Sequence, residues 1–415
     1  MNFLGVSSRE EITKLQENGL KRIIDYVYNK NAIYRNKFEH VGLKPSDIKG
    51  LKDLEKLPFT TKQDLRDSYP FKMSCVTKEN ILRVHMSSGT TGSPVLHPYT
   101  RADIDQWSTI MARCLYAAGV RGNDVLQITP SFGLFNGGFG FHYGAERLGC
   151  MTVPAGAGNT KRQIKLIEDF GTTSLGSVAS YAIRIMEIAK EEGKDFPTLK
   201  RGIFGAETFS DGLRRKIEDS LDIESYDIYG MTETGGIGCG IDCSYHDGIH
   251  IWEDHYILEI IDPKTGESLS EGEEGEVVLT SFTREALPVI RFRTGDIGSI
   301  IEDKCECGMP YRKISKIKGR VDDLLIIKGV NVYPSEIEHL LCNIPGIGNN
   351  YQIFVKENNG FHDLMIQVEG DISSIEIKKR IKENFLITPE VQVLPKGSIP
   401  RNEGKAIRII KDKNI

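Results

Sequence analysis

The stretch that decides the fold runs from Asp124 to Gly230. It contains DVLQITP (Asp124–Pro130), RQIKLIEDFG (Arg162–Gly171), TTSLGSV (Thr172–Val178), GIFGA (Gly202–Ala206) and SYDIYG (Ser225–Gly230). DVLQITP, TTSLGSV, GIFGA and SYDIYG are short apolar runs that end in polar or glycine-containing turns, the pattern of buried strands. RQIKLIEDFG repeats its apolar residues at helical spacing, with Gly171 just past its end. Strands alternating with helices predict an α/β fold: a largely parallel sheet with helices on both faces. Ligands of such sheets sit in the loops at the carboxyl ends of the strands.

Upstream, EEITKLQENGLKRIIDYVYNKNAIYRNKFEHVG reads as one or two amphipathic helices, and Lys49 to Asp67 as loops and short helices. Downstream, WEDHYILEIID, GEVVLTS and IGSIIED alternate apolar and polar residues over 251–301, which predicts an antiparallel, barrel-like β unit. After Lys316 the strands DLLIIKGVNVYP, YQIFVKE and DLMIQVEG alternate with the helices PSEIEHLLCNI and SSIEIKKRIKENF, with Ser335 as the expected N-cap of the first helix. This tail is long enough for a small α+β domain of its own. The expected architecture is therefore a large domain over 1–318 and a small one over 319–415.

The chain has 415 residues, of which 39% are hydrophobic and 27% charged, which excludes a largely disordered protein. Its 53 basic and 58 acidic side chains leave a net charge of −5, which argues against nonspecific nucleic-acid binding. No apolar run reaches the roughly 18 residues of a membrane span. The opening MNFLGVSSREEITKLQ has no signal-peptide pattern, so the expectation is a cytoplasmic protein. Eight cysteines are too few for a disulfide scaffold, and Cys75, Cys114, Cys150 and Cys342 read as buried small hydrophobes.

The sharpest local signal is SSGTTGSP, Ser87 to Pro94. Its hydroxyls can donate to phosphate oxygens, and Gly89 and Gly92 let the backbone approach closely. It lacks the lysine of a Walker loop. YGMTETGG, Tyr229 to Gly236, carries Glu233, an oxygen ligand suited to magnesium beside a polyphosphate, and Tyr229, which can stack on a base. In RFRTGD, Asp296 can take ribose hydroxyls, as carboxylates do in other nucleotide sites. Cys305 and Cys307 form a C-x-C-G knuckle, and Cys243 and His250 lie upstream in CSYHDGIH. Three thiolates and one imidazole suit a closed structural zinc site, with His246 as a competing ligand.

In this order the segments resemble the acyl-adenylate-forming (AMP-binding) superfamily, and within it the phenylacetate–CoA ligase family. The motifs that carry the resemblance are LPFTTKQDLRDSYPF, SSGTTGSP, GLFNGGFGFHYGAERLG, GNTKRQIKLIEDFG, GIFGAETFS, YDIYGMTE, GIHIWEDHYILEIIDP, EALPVIRFRTGDI, KGRVDDLLIIKGVNVYPSEIE and GSIPRNEGKAIR. The resemblance implies an enzyme that joins ATP and an aryl or arylacetic acid into an acyl-adenylate, releasing pyrophosphate. Coenzyme A thiolate then displaces AMP to leave a thioester. Relatives that hand the acyl group to a carrier-protein thiol, or that adenylate a deazaflavin coenzyme, are the alternatives. A homodimer is a further state the resemblance leaves open.

Carried over by motif, Ser87, Ser88, Gly89, Thr90, Thr91 and Gly92 are expected at the β- and γ-phosphates. Gly205, Ala206 and Glu207 are expected along the adenine with Tyr229 against the base, Gly230 and Met231 also at the nucleotide, and Thr232 at the α-phosphate. Glu233 is expected on magnesium, Asp296 on the ribose and Arg320 on ribose or phosphate. Lys405 matches the lysine that bridges the attacking carboxylate and the α-phosphate. Asp322 matches the hinge about which the small domain swings between half-reactions. His142 sits where the family places a residue near the carboxylate, as base or orienting group. Phe132, Phe135, Gly137 and Gly235 are expected to line the acid pocket. The chain departs from the family pattern at Ser93, where most relatives have lysine, and at Ser131–Phe132, where phenylacetate enzymes are Tyr-rich. Some relatives with the HIWEDH context hold a zinc.

Overall fold

The computed structural model describes residues 4–87, 94–327, 330–358, 361–401 and 408–412. Two helices open the chain, Arg9–Lys30 and Ala32–His40, and one residue separates them. The Asn31 side chain accepts hydrogen bonds from the amides of Ile33 and Tyr34, so the same residue ends one helix and caps the next.

The central sheet has nine strands. Five are parallel, in the spatial order Met151–Val153, Val125–Ile128, Ser174–Ser177, Arg201–Gly205, Glu224–Met231. The helices Gly137–Leu148, Thr160–Phe170, Ala179–Glu191 and Asp211–Leu221 lie between these strands in the chain. The parallel expectation holds for these five only. After Met231 the chain turns back, and Gly236–Asp242, Ile249–Ile251, Lys313–Ile314 and Ile300–Ile301 extend the same sheet antiparallel. The reversal takes place at the turn Thr232–Thr234, closed by Gly235 at φ +95°. A Cβ on Gly235 would lie 2.6 Å from the Arg284 guanidinium, which donates to the Gly235 carbonyl at 2.9 Å, so glycine is required there.

A second sheet joins Tyr256–Ile261, Gly275–Ser281, Phe292–Gly298 and Gly319–Arg320, all antiparallel as expected, but Ile300–Ile301 of IGSIIED pairs into the main sheet instead, and the first two strands are buried on both faces rather than alternating. Trp107 and Trp252 are buried in the core between the sheet and its helices.

Beyond Arg320 the turn Val321–Asp323 leads into the hairpin Leu325–Ile327 and Val330–Val332 and then a separate four-stranded sheet. That sheet, in the order Glu390–Leu394, Phe361–Gly370, Ile347–Asn358, Ile409–Asp412, packs with the helices Pro334–Cys342 and Ser374–Phe385 around its own core. Ser335 is not the N-cap. Tyr333 holds that position, with its amide bonded to the Glu336 carboxylate at 2.8 Å. Pro334 explains the shift, because its missing N–H and fixed φ suit the first helical position. The Ser335 hydroxyl instead donates to the Lys318 carbonyl across the junction.

Candidate active site

The parallel strands end on a cleft of ≈ 1500 Å³ between the large and small units. Its walls include Ser87, Phe135, Ala206, Glu207, Tyr229 to Glu233 and Asp296 from the large unit, and Tyr351 and Arg408 from the small one. Of the sequence-predicted residues, Phe132, Gly137, His142, Gly235, Gly205 and Asp322 do not line it.

Glu233 is buried on the turn after the strand Glu224–Met231, and Lys62 Nζ lies 3.0 Å from its Oε1. Thr232 Oγ1, next to it, accepts from Asn136 Nδ2 at 3.0 Å. Sequence reading named neither Lys62 nor Asn136, although both lie in motifs it singled out. A lysine among many and an asparagine in a glycine run carry no local signal; only the chain's return brings them to Glu233 and Thr232.

Asp296 gathers the other side of the cleft. Tyr229 donates its hydroxyl to Oδ2 at 2.8 Å, and Arg320 Nη1 lies 3.1 Å from Oδ1. Burial pushes the Asp296 carboxyl up to about 6, against the pull of Arg320. Arg320 also reaches Asp322 at 3.1 Å, and Asp322 is otherwise exposed. Asp227, near Glu233 in the chain, is pushed up to about 8 by burial and by Asp242.

Glu207 does more than line the cleft. Its carboxylate accepts from the amide and hydroxyl of Ser180, in the first turn of the helix Ala179–Glu191, whose N-cap Val178 offers no side-chain bond. Ala206 before it holds φ +69°. Burial raises the Glu207 pKa and the nearby Arg408 opposes that rise. Arg408 in turn pairs with Glu338 and the Tyr351 hydroxyl.

Ser87 pins the base of the phosphate loop: its amide donates to the Val95 carbonyl at 2.9 Å and its Oγ accepts from the Val95 amide at 3.1 Å. Ser88, Gly89, Thr90, Thr91, Gly92 and Lys405 lie outside the described residues. His142 lies edge-on to Phe132 with ring centroids 6.0 Å apart, and its Nδ1 is 3.5 Å from Glu146.

At the antiparallel end of the main sheet, the donor atoms of Cys243, His250, Cys305 and Cys307 all lie within 4.8 Å of one another. Cys243 and Cys305 sulfurs are 3.5 Å apart, and Cys307 Sγ is 3.3 Å from His250 Nε2. His250 Nδ1 is 3.1 Å from the Tyr311 carbonyl, which holds the proton on Nδ1 and turns Nε2 toward the thiols. Burial and neighbouring thiols push Cys243 up to about 12, so three thiolates here need a cation. His246 is engaged elsewhere, 3.1 Å from Asp242 and 3.0 Å from Arg214.

Residues 16–282 match the model of the AMP-binding enzyme family, and residues 329–413 that of the AMP-binding enzyme C-terminal domain. The phenylacetate-coenzyme A ligase of Escherichia coli strain K12 is 40% identical over 425 aligned positions, covering 99% of this chain and 97% of the relative. A crystal structure of 2-hydroxyisobutyryl-CoA ligase, in the postadenylation state with 2-HIB-AMP, superposes with a TM-score of 0.93 at 28% identity, covering 98% of this chain and 90% of that one. The same ligase in its thioesterification state, with 2-HIB-AMP and CoA, superposes at 0.73, at 29% identity over 97% and 90% of the two chains. With the family models and the near full-length relative agreeing, the chain belongs to the phenylacetate–coenzyme A ligase family of the AMP-binding enzymes.

Proposed function

We propose that the protein activates an aryl or arylacetic acid of the phenylacetate type with ATP and transfers the acyl group to coenzyme A. The observation that carries this reading is the 40% identity to the phenylacetate-coenzyme A ligase over 99% of the chain. In the first step a carboxylate oxygen attacks the α-phosphorus and pyrophosphate leaves. In the second the coenzyme A sulfur attacks the acyl carbon and AMP leaves. Both steps depend on positioning and on neutralising charge on oxygen.

The cleft's own residues divide that work. Asp296, oriented by Tyr229 and Arg320, accepts the ribose hydroxyls. Thr232, held by Asn136, faces the α-phosphate. Glu233 would hold magnesium, which when bound neutralises charge on the polyphosphate; a buried carboxylate with one cation beside it is a fitting oxygen ligand. The small unit, residues 319–415, brings Lys405 to the reacting oxygens, and the turn Val321–Asp323 carries the hinge. A panel of phenylacetic, benzoic and indoleacetic acids with ATP and coenzyme A, read by product mass, tests the reading. A thioester with AMP release is expected. Acyl transfer only to a carrier-protein thiol or to a deazaflavin moves the chain to another acceptor class.

The raised Asp296 pKa fixes a pH dependence. Below about 6 the carboxyl is protonated and loses acceptor strength toward the ribose. The KM for ATP is therefore expected to rise as pH falls from 7 to 5, and Asp296→Asn to give a high KM that is flat across that range. Steady-state kinetics against pH read both.

The four-donor cluster would hold a structural zinc with no open coordination position. It ties the turn after Gly236–Asp242 to the loop before Lys313–Ile314. Metal analysis of the purified protein is expected to find about one zinc per chain. Cys305→Ser is expected to abolish it and to lower Tm by about 3–5 °C, on the order of a few kcal/mol. His246→Ala leaves the zinc content unchanged.

A further inference from the structure

We propose that Glu187 is a latch that holds the small unit in the adenylation arrangement and is released for the thioester step. The proposal rests on the two-step ligase reading above.

Glu187 lies on the helix Ala179–Glu191 and is not among the residues that line the cleft, and its side chain is only 11% exposed. A largely covered carboxylate at a unit boundary draws on donors nearby. Most of its contacts come from the other unit. Asn349 Nδ2 donates to its Oε1 at 3.3 Å and Asn350 Nδ2 at 3.2 Å. Arg401 Nε stands 4.0 Å from Oε2. From its own helix, Arg184 reaches Oε2 at 3.4 Å.

Two neighbouring residues in a regular strand point to opposite faces. Asn349 and Asn350 reach one oxygen because the pairing of their strand with Phe361–Gly370 is irregular between Ile347 and Tyr351. Such irregularities re-aim side chains. Here the strand's distortion serves a contact on the large unit.

Arg401 extends the latch toward the chemistry. It forms a two-pronged pair with Glu369, at 2.8 and 2.6 Å, while its Nε faces Glu187. It thereby fixes the chain just before the segment that carries Lys405. On the far side of that segment Arg408 is held by Glu338 and Tyr351 and lies near Glu207, which bonds Ser180 in the first turn of the same helix. Arg401 thus meets the helix directly at Glu187, and Arg408 lies near Glu207, which bonds the first turn of that helix.

These contacts belong to one arrangement of the two units. The structure superposes on the postadenylation state of the 2-hydroxyisobutyryl-CoA ligase at 0.93 and on the thioesterification state at 0.73. Re-seating one unit carries atoms 3.2 and 3.3 Å apart out of hydrogen-bond reach. Glu187 therefore favours one state of a two-state element, and its removal shifts the balance toward the other.

The test separates the half-reactions, using the acid identified by the panel above. Glu187→Ala is expected to slow acid-dependent pyrophosphate exchange about tenfold. Thioester formation from the preformed acyl-adenylate and coenzyme A should stay at or above the wild-type rate. The Asn349→Ala/Asn350→Ala variant, made on the other unit, should reproduce this split, and combining it with Glu187→Ala should add little. Equal loss of both half-reactions, or of neither, overturns the latch. So does full additivity of the two sets. Wild-type protein without pyrophosphate exchange for any acid overturns the ligase reading, and the latch with it.

Discussion

Replacing Lys405 with alanine is expected to slow acid-dependent pyrophosphate exchange by about 10²–10³-fold, the cost of losing one preorganised donor to a developing oxyanion. Adenylation joins two anions, a carboxylate and a phosphate, and most of its barrier is charge repulsion. A lysine bridging both oxygens acts in the transition state more than in the ground state, so kcat should fall while the KM for ATP moves little. The groups proposed for the ribose and base, Asp296 and the cleft wall around Ala206, stand on the large unit, and the substitution leaves them in place. Thioester formation from a preformed acyl-adenylate should be spared, because that step no longer needs the carboxylate to approach the α-phosphate. Lys405→Arg keeps charge but changes geometry and should recover only part of the rate. An alanine variant that activates acids at the wild-type rate would remove the mechanism.

Glu233→Gln should cost about 10²-fold in the same assay, since a metal clamp on a polyphosphate is worth several kcal/mol. The substitution is nearly isosteric at a buried position, so loss of packing is not the expected cause. Its mark is a raised magnesium requirement, with activity partly restored as the metal concentration is increased. Lys62→Met is the informative companion. Lys62 is 40% exposed and can remain solvated without its partner, so the Glu233 substitution should leave Tm nearly unchanged. Removing Lys62 instead leaves a buried carboxylate without its cation. That variant should still bind magnesium, with ATP turnover falling less than in Glu233→Gln. Equal magnesium dependence in wild type and Glu233→Gln would show that the metal is held elsewhere.

Local order was legible before the structure. The strands Val125–Ile128, Ser174–Ser177, Arg201–Gly205 and Glu224–Met231 stand where short apolar runs predict them, and Gly171 ends its helix in the left-handed conformation. Hydrophobic period and turn chemistry act over a few residues, so they can be read in a few residues. The helix is capped at Tyr333 and not at the expected Ser335 because Pro334 takes the first helical position, which its fixed φ and missing N–H suit. The antiparallel half of the main sheet was not legible. The strand Gly236–Asp242 is buried along its whole length, and continuous burial does not tell parallel from antiparallel neighbours.

The sequence by itself determined the family, through motifs each readable over a few residues, and it singled out the three cysteines of the four-donor cluster. It left open which histidine joins the cysteines, and Tyr311 decided that by fixing the proton on His250. Lys62 against Glu233, Asn136 against Thr232 and Glu187 against Asn349 and Asn350 were decided by the tertiary structure alone. Each such pair joins side chains far apart in the chain. Nothing in either residue's neighbourhood records its partner, since the free energy of the contact appears only when packing has set the distance and removed the water.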